Sequence, residues 1–196
     1  MSWPLVVMNH ECRMKPKMKT EAIILLAGLS LIAGCATQPP DVTTNYQPVT
    51  GQRTDLMSEN ILETPQQPPR EVIWLNAARV FKDYWNRKSV DYLEVNYMAR
   101  SETGYLEIPL GNTLTLLVDG KEMKLSGNGS FNKRKTVKDN FVSEVALYEV
   151  TREQLAKIAF AKQVKVRIKG ANGVVERDFG PENFRRFQEF LEATRL

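Results

Sequence analysis

Three observations predict an α+β fold for residues 71–196: an antiparallel sheet built as a meander of hairpins, with two helices towards the C-terminus. Asp119-Gly120 and Asn172-Gly173 are turn dipeptides, each flanked by runs that alternate apolar and polar residues. Between them lie further runs rich in β-branched and aromatic residues. Two stretches with helical spacing and helix-start signals punctuate the end of the chain.

Glu71 to Lys88 comes first and carries two patterns. Ile73, Ala77, Val80, Phe81 and Tyr84 suit a helix, whereas Val72-Ile73-Trp74-Leu75 suits a strand; the extended reading, reaching about Phe81, is preferred. Tyr92 to Ala99 and Tyr105 to Leu110 read as the next two strands. The first hairpin joins Thr113–Val118 to Lys121–Leu125, and counting outward from its turn sets Leu114 opposite Leu125 and Leu116 opposite Met123. Phe141 to Val150 is apolar on both faces and so predicts a central strand. Glu144 within it is read as an exposed strand-end residue in preference to a buried, paired carboxylate.

Thr151-Arg152-Glu153-Gln154 fits a capping box that starts a helix with Leu155, Ile158 and Ala159 inward. The second hairpin runs Val164–Lys169, turns at Asn172-Gly173, and returns over Val174–Phe179. Counting from that turn pairs Val166 with Phe179, Lys169 with Glu176 and Arg167 with Asp178, and leaves Arg177 on the inner face without a role beyond an edge position. Gly180-Pro181 opens the last helix, whose inward stripe is Phe184, Phe187 and Leu191 with Phe190 beside them.

The first 70 residues have a different character. Lys15, Lys17 and Lys19 precede an uncharged apolar block, Ala22 to Ala33, which is shorter than the roughly 20 residues a bilayer-spanning helix requires. This is the layout of an export signal. Residues 1–13 stand outside it, and Met14 or Met18 would each serve as a conventional start. From residue 35 to 70 the chain is poor in core formers and holds Pro39, Pro40, Pro48, Pro65, Pro68 and Pro69, so it is read as a disordered tether, with a helical turn around Leu56 to Leu62 as its only structure.

Ile32-Ala33-Gly34-Cys35, placed at the end of the apolar block, resembles the lipobox of bacterial lipoproteins. The resemblance covers about residues 14–36. It implies that residues 1–34 are removed and that lipid is attached to Cys35, anchoring the mature chain to a membrane. Ala36, where an aspartate would favour inner-membrane retention in enterobacterial lipoproteins, points to the outer membrane. The physical logic agrees, because small residues admit the backbone to a peptidase and a thiol is the natural nucleophile for alkylation. Two or more acyl chains then hold a protein stably.

Processing at that point would also remove His10, the one histidine, and Cys12, leaving Cys35 as the mature chain's sole cysteine. Such a chain has no Ser-His-Asp or Cys-His catalysis, no zinc or haem held by His or Cys, and no disulfide. No cofactor is expected. Paired carboxylates could in principle cut cell-wall glycan, and Glu107, Asp119, Glu144 and Glu149 form the pool, with no spacing that singles out a pair. Lys121 and Lys124 near Ser126 do not make a case for a Ser-Lys dyad. Ser126-Gly127-Asn128-Gly129-Ser130 reads as a flexible turn. The basic run Lys133-Arg134-Lys135 with Lys138, in a chain of formal net charge +4, could meet anionic lipid or an acidic partner, or simply be solvated. An exported chain is not expected to bind nucleic acid. The sequence therefore predicts a non-catalytic binding or assembly domain facing the periplasm, with an envelope protein or peptidoglycan as partner; a carboxylate-dependent glycan hydrolase is the alternative.

Overall fold

Strand order explains most of what the molecule buries. The computed structural model describes residues 42–64, 70–81, 88–137 and 140–195; the segment read as an export signal, Cys35 and Lys138 lie outside them. Ten strands form one antiparallel sheet: β1 (Val42–Gln47), β2 (Gln52–Met57), β3 (Glu71–Phe81), β4 (Ser89–Arg100), β5 (Gly111–Val118), β6 (Lys121–Gly127), β7 (Arg134–Val137), β8 (Phe141–Val150), β9 (Val164–Gly170) and β10 (Gly173–Asp178). Their spatial order is β1-β2-β3-β4-β8-β6-β5-β9-β10, with β7 also paired to β8. Helices α1 (Arg152–Ala159) and α2 (Pro181–Ala193) flank the last hairpin in sequence. Among the described residues no helix is long and apolar enough to cross a membrane.

The sheet curls. Arg177 on β10 forms an ion pair with Glu71 on β3, although many strands separate the two along the sheet. Inward positions alternate as a pleated strand requires. Ile73, Leu75 and Ala77 of β3, Leu93, Val95 and Tyr97 of β4, and Ala146 and Tyr148 of β8 share one core with Leu114, Leu116, Val166 and Ile168. The same core takes Leu155, Ile158 and Ala159 of α1 and Phe187, Phe190 and Leu191 of α2. Thr151 caps α1 through its hydroxyl while Gln154 reaches back, the reciprocal pairing that the sequence predicts.

Glu71 to Phe81 is a strand, and the first hairpin has the expected register, Leu114 with Leu125 and Leu116 with Met123. Four expectations need correction. Residues 35–70 are not a disordered tether throughout, because β1 and β2 form a hairpin on the edge of the sheet and Met57 and Leu62 are fully buried. Nor is there a helical turn over Leu56 to Leu62: β2 runs through Met57, Glu59 takes φ +60°, and Ile61 bridges to Trp74. What holds this segment is a buried amide network. Asn60 donates to the Leu75 carbonyl at 2.7 Å, and Asn183 of α2 donates to Asn60 Oδ1 and to the Ile61 carbonyl, both at 2.8 Å.

Tyr105 to Leu110 is a crossing loop and not a strand; Glu107 sits at φ +58° and Pro109 lacks the N–H a ladder would need. The second hairpin turns at Ala171-Asn172, so its register is two residues from the expected one: Arg167 faces Glu176, Lys165 faces Asp178 and Arg177 faces Val166. A shift of two keeps every side chain on its face, so the apolar pattern is equally satisfied by both registers. The crossing loop decides between them. Its Leu106 and Glu107 carbonyls accept from Asn172 and Ala171, and a Cβ on Gly170 would run into the Leu106 carbonyl.

Candidate functional site

Glu144 occupies an inward position of the central strand β8, between Val142 and Ala146, and has no exposed surface. Its reading as an exposed strand-end residue is therefore wrong; it is the buried, paired carboxylate. Oε1 accepts from the backbone N–H of Glu107 at 3.0 Å, and Oε2 accepts from the N–H of Ile108 at 3.3 Å and from the Ser130 hydroxyl. Arg134 stands behind these donors, its Nε 3.7 Å from Glu144 and its Nη1 3.4 Å from Glu107. Buried charge is costly unless hydrogen bonds meet it, and here they are supplied by two loops that the carboxylate binds together.

Those loops are the crossing segment 105–110 and the turn around Ser130. Ser130 also donates its N–H to the Ile108 carbonyl at 2.9 Å, and Gly129, at φ +71°, lies so close to Leu110 that a Cβ would approach its backbone N to 2.9 Å. The segment expected to be a flexible turn is thus pinned. Two exposed apolar residues stand at its outer rim, Phe131 and Leu110, 80% and 79% exposed, and Lys133 and Lys135, which follow Phe131 in the chain, are exposed as well. The Arg134 guanidinium lies 5.8 Å from the Tyr105 ring and 5.7 Å from the Phe131 ring, within cation–π range of both.

Burial first, and then the negative charges of Glu71 and Glu144, push the Tyr97 hydroxyl up to about 12, against an opposing effect of Arg177. Tyr148 is also pushed up to about 12, mainly by burial; its hydroxyl shares a 2.9 Å hydrogen bond with Thr113, which works the other way, and Glu144 adds to the rise. Neither tyrosine is a ready proton donor at neutral pH.

The structure brings Glu107 and Glu144 together, but Arg134 lies between them, and every hydrogen-bonding neighbour of Glu144 is a donor. A general acid needs an acidic proton open to substrate, which a wholly buried, donor-surrounded carboxylate does not offer. Asp119 is elsewhere, accepting from the N–H groups of Lys162 and Gln163 at 2.8 and 2.9 Å. Glu149 is exposed on β8 opposite Tyr92. Lys124 pairs with Glu122 at 3.1 Å, and Ser126 lies further along β6 opposite Asn112, so no Ser-Lys arrangement forms. An open groove of about 750 Å³ runs beside that hairpin, with Lys121, Met123, Lys157 and the exposed Phe160 on its walls.

A second charged cluster went unnoticed in the sequence. Asp91, inward on β4, lies 3.7 Å from Arg79 and 3.9 Å from Arg152. Burial raises its carboxyl above the ordinary value, and the two arginines only partly offset that. Arg79 was hidden because it occupies an inward place on β3, where an apolar residue is the default. Among the described residues no three His, Cys, Asp or Glu side chains are grouped to hold a metal ion. No protein-family model matches this chain, and no curated protein matches it either.

Proposed function

We propose that this chain is a lipid-anchored protein of the bacterial cell envelope whose folded unit binds or assembles with an envelope partner on the periplasmic side and does not catalyse a reaction. The observation that carries it is Ile32-Ala33-Gly34-Cys35, standing directly after a lysine-led apolar block too short to remain as a span. Cys35 is the attachment point, and Ala36 favours the outer membrane of a Gram-negative cell. Support for a binding role comes from the carboxylate pool: Glu144, Asp119 and Glu107 each hold backbone or an arginine in place. The partner is an envelope protein or peptidoglycan, besides the membrane met through lipid.

Metabolic labelling with a clickable fatty acid tests the anchor. Wild-type chain should take up label and the Cys35→Ser variant should not; an unlabelled wild type would sink the proposal. Zymography on purified cell wall tests the non-catalytic half. Clearing by the purified chain would establish the glycan-hydrolase alternative in its place.

A further inference from the structure

We propose that the rim formed by Leu110 and Phe131, with Lys133 and Lys135, seats the folded unit on an anionic phospholipid surface. This deepens the reading of a membrane-anchored chain and rests on it. The two apolar side chains stand on loop tips, where they can enter a headgroup layer, and not on a flat strand face. Their exposure is built in. Glu144 ties the backbone at Glu107 and Ile108 to Ser130, so residues 108–110 and 128–131 are held before any contact is made. A pre-organised tip loses little entropy on docking.

Charge points the same way. From Ser130 to Val137 the chain contains no carboxylate, the next one along it being Asp139; of the two carboxylates that meet this stretch, Glu144 is wholly buried and Glu107 faces Arg134. Lys133 and Lys135 are exposed and have no ion pair among the described residues. Exposed apolar side chains close in the chain to unpaired cations are a pattern by which proteins settle into an anionic interface. Size discriminates against a stable protein partner at this spot. Such interfaces bury about 800 Å² on each side, with 20–30 residues, whereas the apolar part of this rim is two side chains. A weak extra contact of that size suffices when a lipid anchor already supplies the affinity.

The test uses the full chain with Cys12→Ser and Cys35→Ser, carrying an environment-sensitive fluorophore on Leu110→Cys. A control carries it on Lys121→Cys, at the far end of the β5–β6 hairpin. With vesicles containing phosphatidylglycerol, emission at position 110 should shift to the blue and rise about threefold, with little change at 121. Lys133→Glu with Lys135→Glu should weaken the response at 110 roughly tenfold or more, as should vesicles of phosphatidylcholine alone. If the chain sediments with anionic vesicles while the probe at 110 stays in water, or if both positions respond alike, the inference is overturned. A photo-crosslinker at Phe131 that captures one protein in intact cells, and no lipid, would overturn it in favour of a protein partner. Because Cys35 is absent from the probe chain, failure here and failure of the fatty-acid labelling are separate results.

Discussion

Glu144 and Asp91 are two inward carboxylates on neighbouring strands, β8 and β4, and the protein treats them differently. Glu144 is met by two backbone N–H groups and a hydroxyl at hydrogen-bonding distance, with an arginine only in support. Asp91 has two arginines but no such directed set, and its Oδ1 is buried without a hydrogen-bond partner. The arginines give their closest contacts elsewhere: Arg79 to the Thr194 carbonyl at 2.7 Å, and Arg152 to the Leu191 carbonyl at 2.6 Å. They close the C-terminal end of α2, where cations are favoured, and Asp91 partly neutralises them. Short bonds from neutral donors satisfy a buried anion better than full charges nearly 4 Å away.

Removing Glu144 should cost most. Glu144→Ala strands two backbone N–H groups, takes the carboxylate from the Ser130 hydroxyl and leaves a cavity in the central strand, and urea denaturation should show a loss of about 3–5 kcal/mol. A loss below about 1 kcal/mol would mean that the loops do not depend on this carboxylate. Next comes Gly170→Ala, which pushes a Cβ into the Leu106 carbonyl and so disturbs the loop that feeds Glu144; about 2–3 kcal/mol is expected by the same measurement.

Asp91→Asn should be milder, within about 1 kcal/mol of wild type at neutral pH, since both arginines keep their carbonyl acceptors and the neutral amide escapes the cost of a buried charge. Its pH behaviour separates the two sites further. The folded value of Asp91 is raised from 3.8, so its contribution is fully present below that value and is lost as pH rises through the raised one. Glu182, drawn from 4.5 down to about 2 first by its hydrogen bond from Arg185, does the opposite: its contribution exists above 4.5 and fades as pH falls towards 2. Thermal melts from about pH 3 to 7 should show Asp91→Asn losing the fall on the upper side and keeping the one on the acid side. Parallel profiles for variant and wild type would contradict this. The smallest effect belongs to Asp178→Asn, whose partner Lys165 is 3.9 Å away on the surface; less than about 0.5 kcal/mol is expected.

Sequence reasoning read the first hairpin with its register, the two strands of the second, the central strand and both helix starts, because the Asp-Gly turn, two-residue alternation and capping residues are local signals. It misread β1 and β2 for a physical reason. Edge strands bury little, so Thr43, Thr44, Asn45 and Gln52 look the same there as in a disordered segment, and the stabilising amides Asn60 and Asn183 are far apart in the chain. Glu144 could have been found. Val142, Ala146, Tyr148 and Val150 share its parity, and one-sided alternation would have placed it inward. Arg177 could not, since its partner Glu71 depends on how far the sheet curls. The loop rim at Leu110 and Phe131 was equally hidden, because its exposure follows from a crossing loop that imitates a strand in sequence.

The place of β1 has a mechanical consequence. Among the described residues β2 is its one ladder partner, and its first residue pairs with Met57, so tension applied at Val42 meets the ladder one rung at a time, from Val42–Met57 to Gln47–Gln52. Strands opened rung by rung yield at low force, and the next obstacle is the Asn60–Asn183 knot that ties the chain to α2. Pulling from the N-terminal side would therefore show a short early extension before the main rupture: a compliant leader spliced to a stiff body.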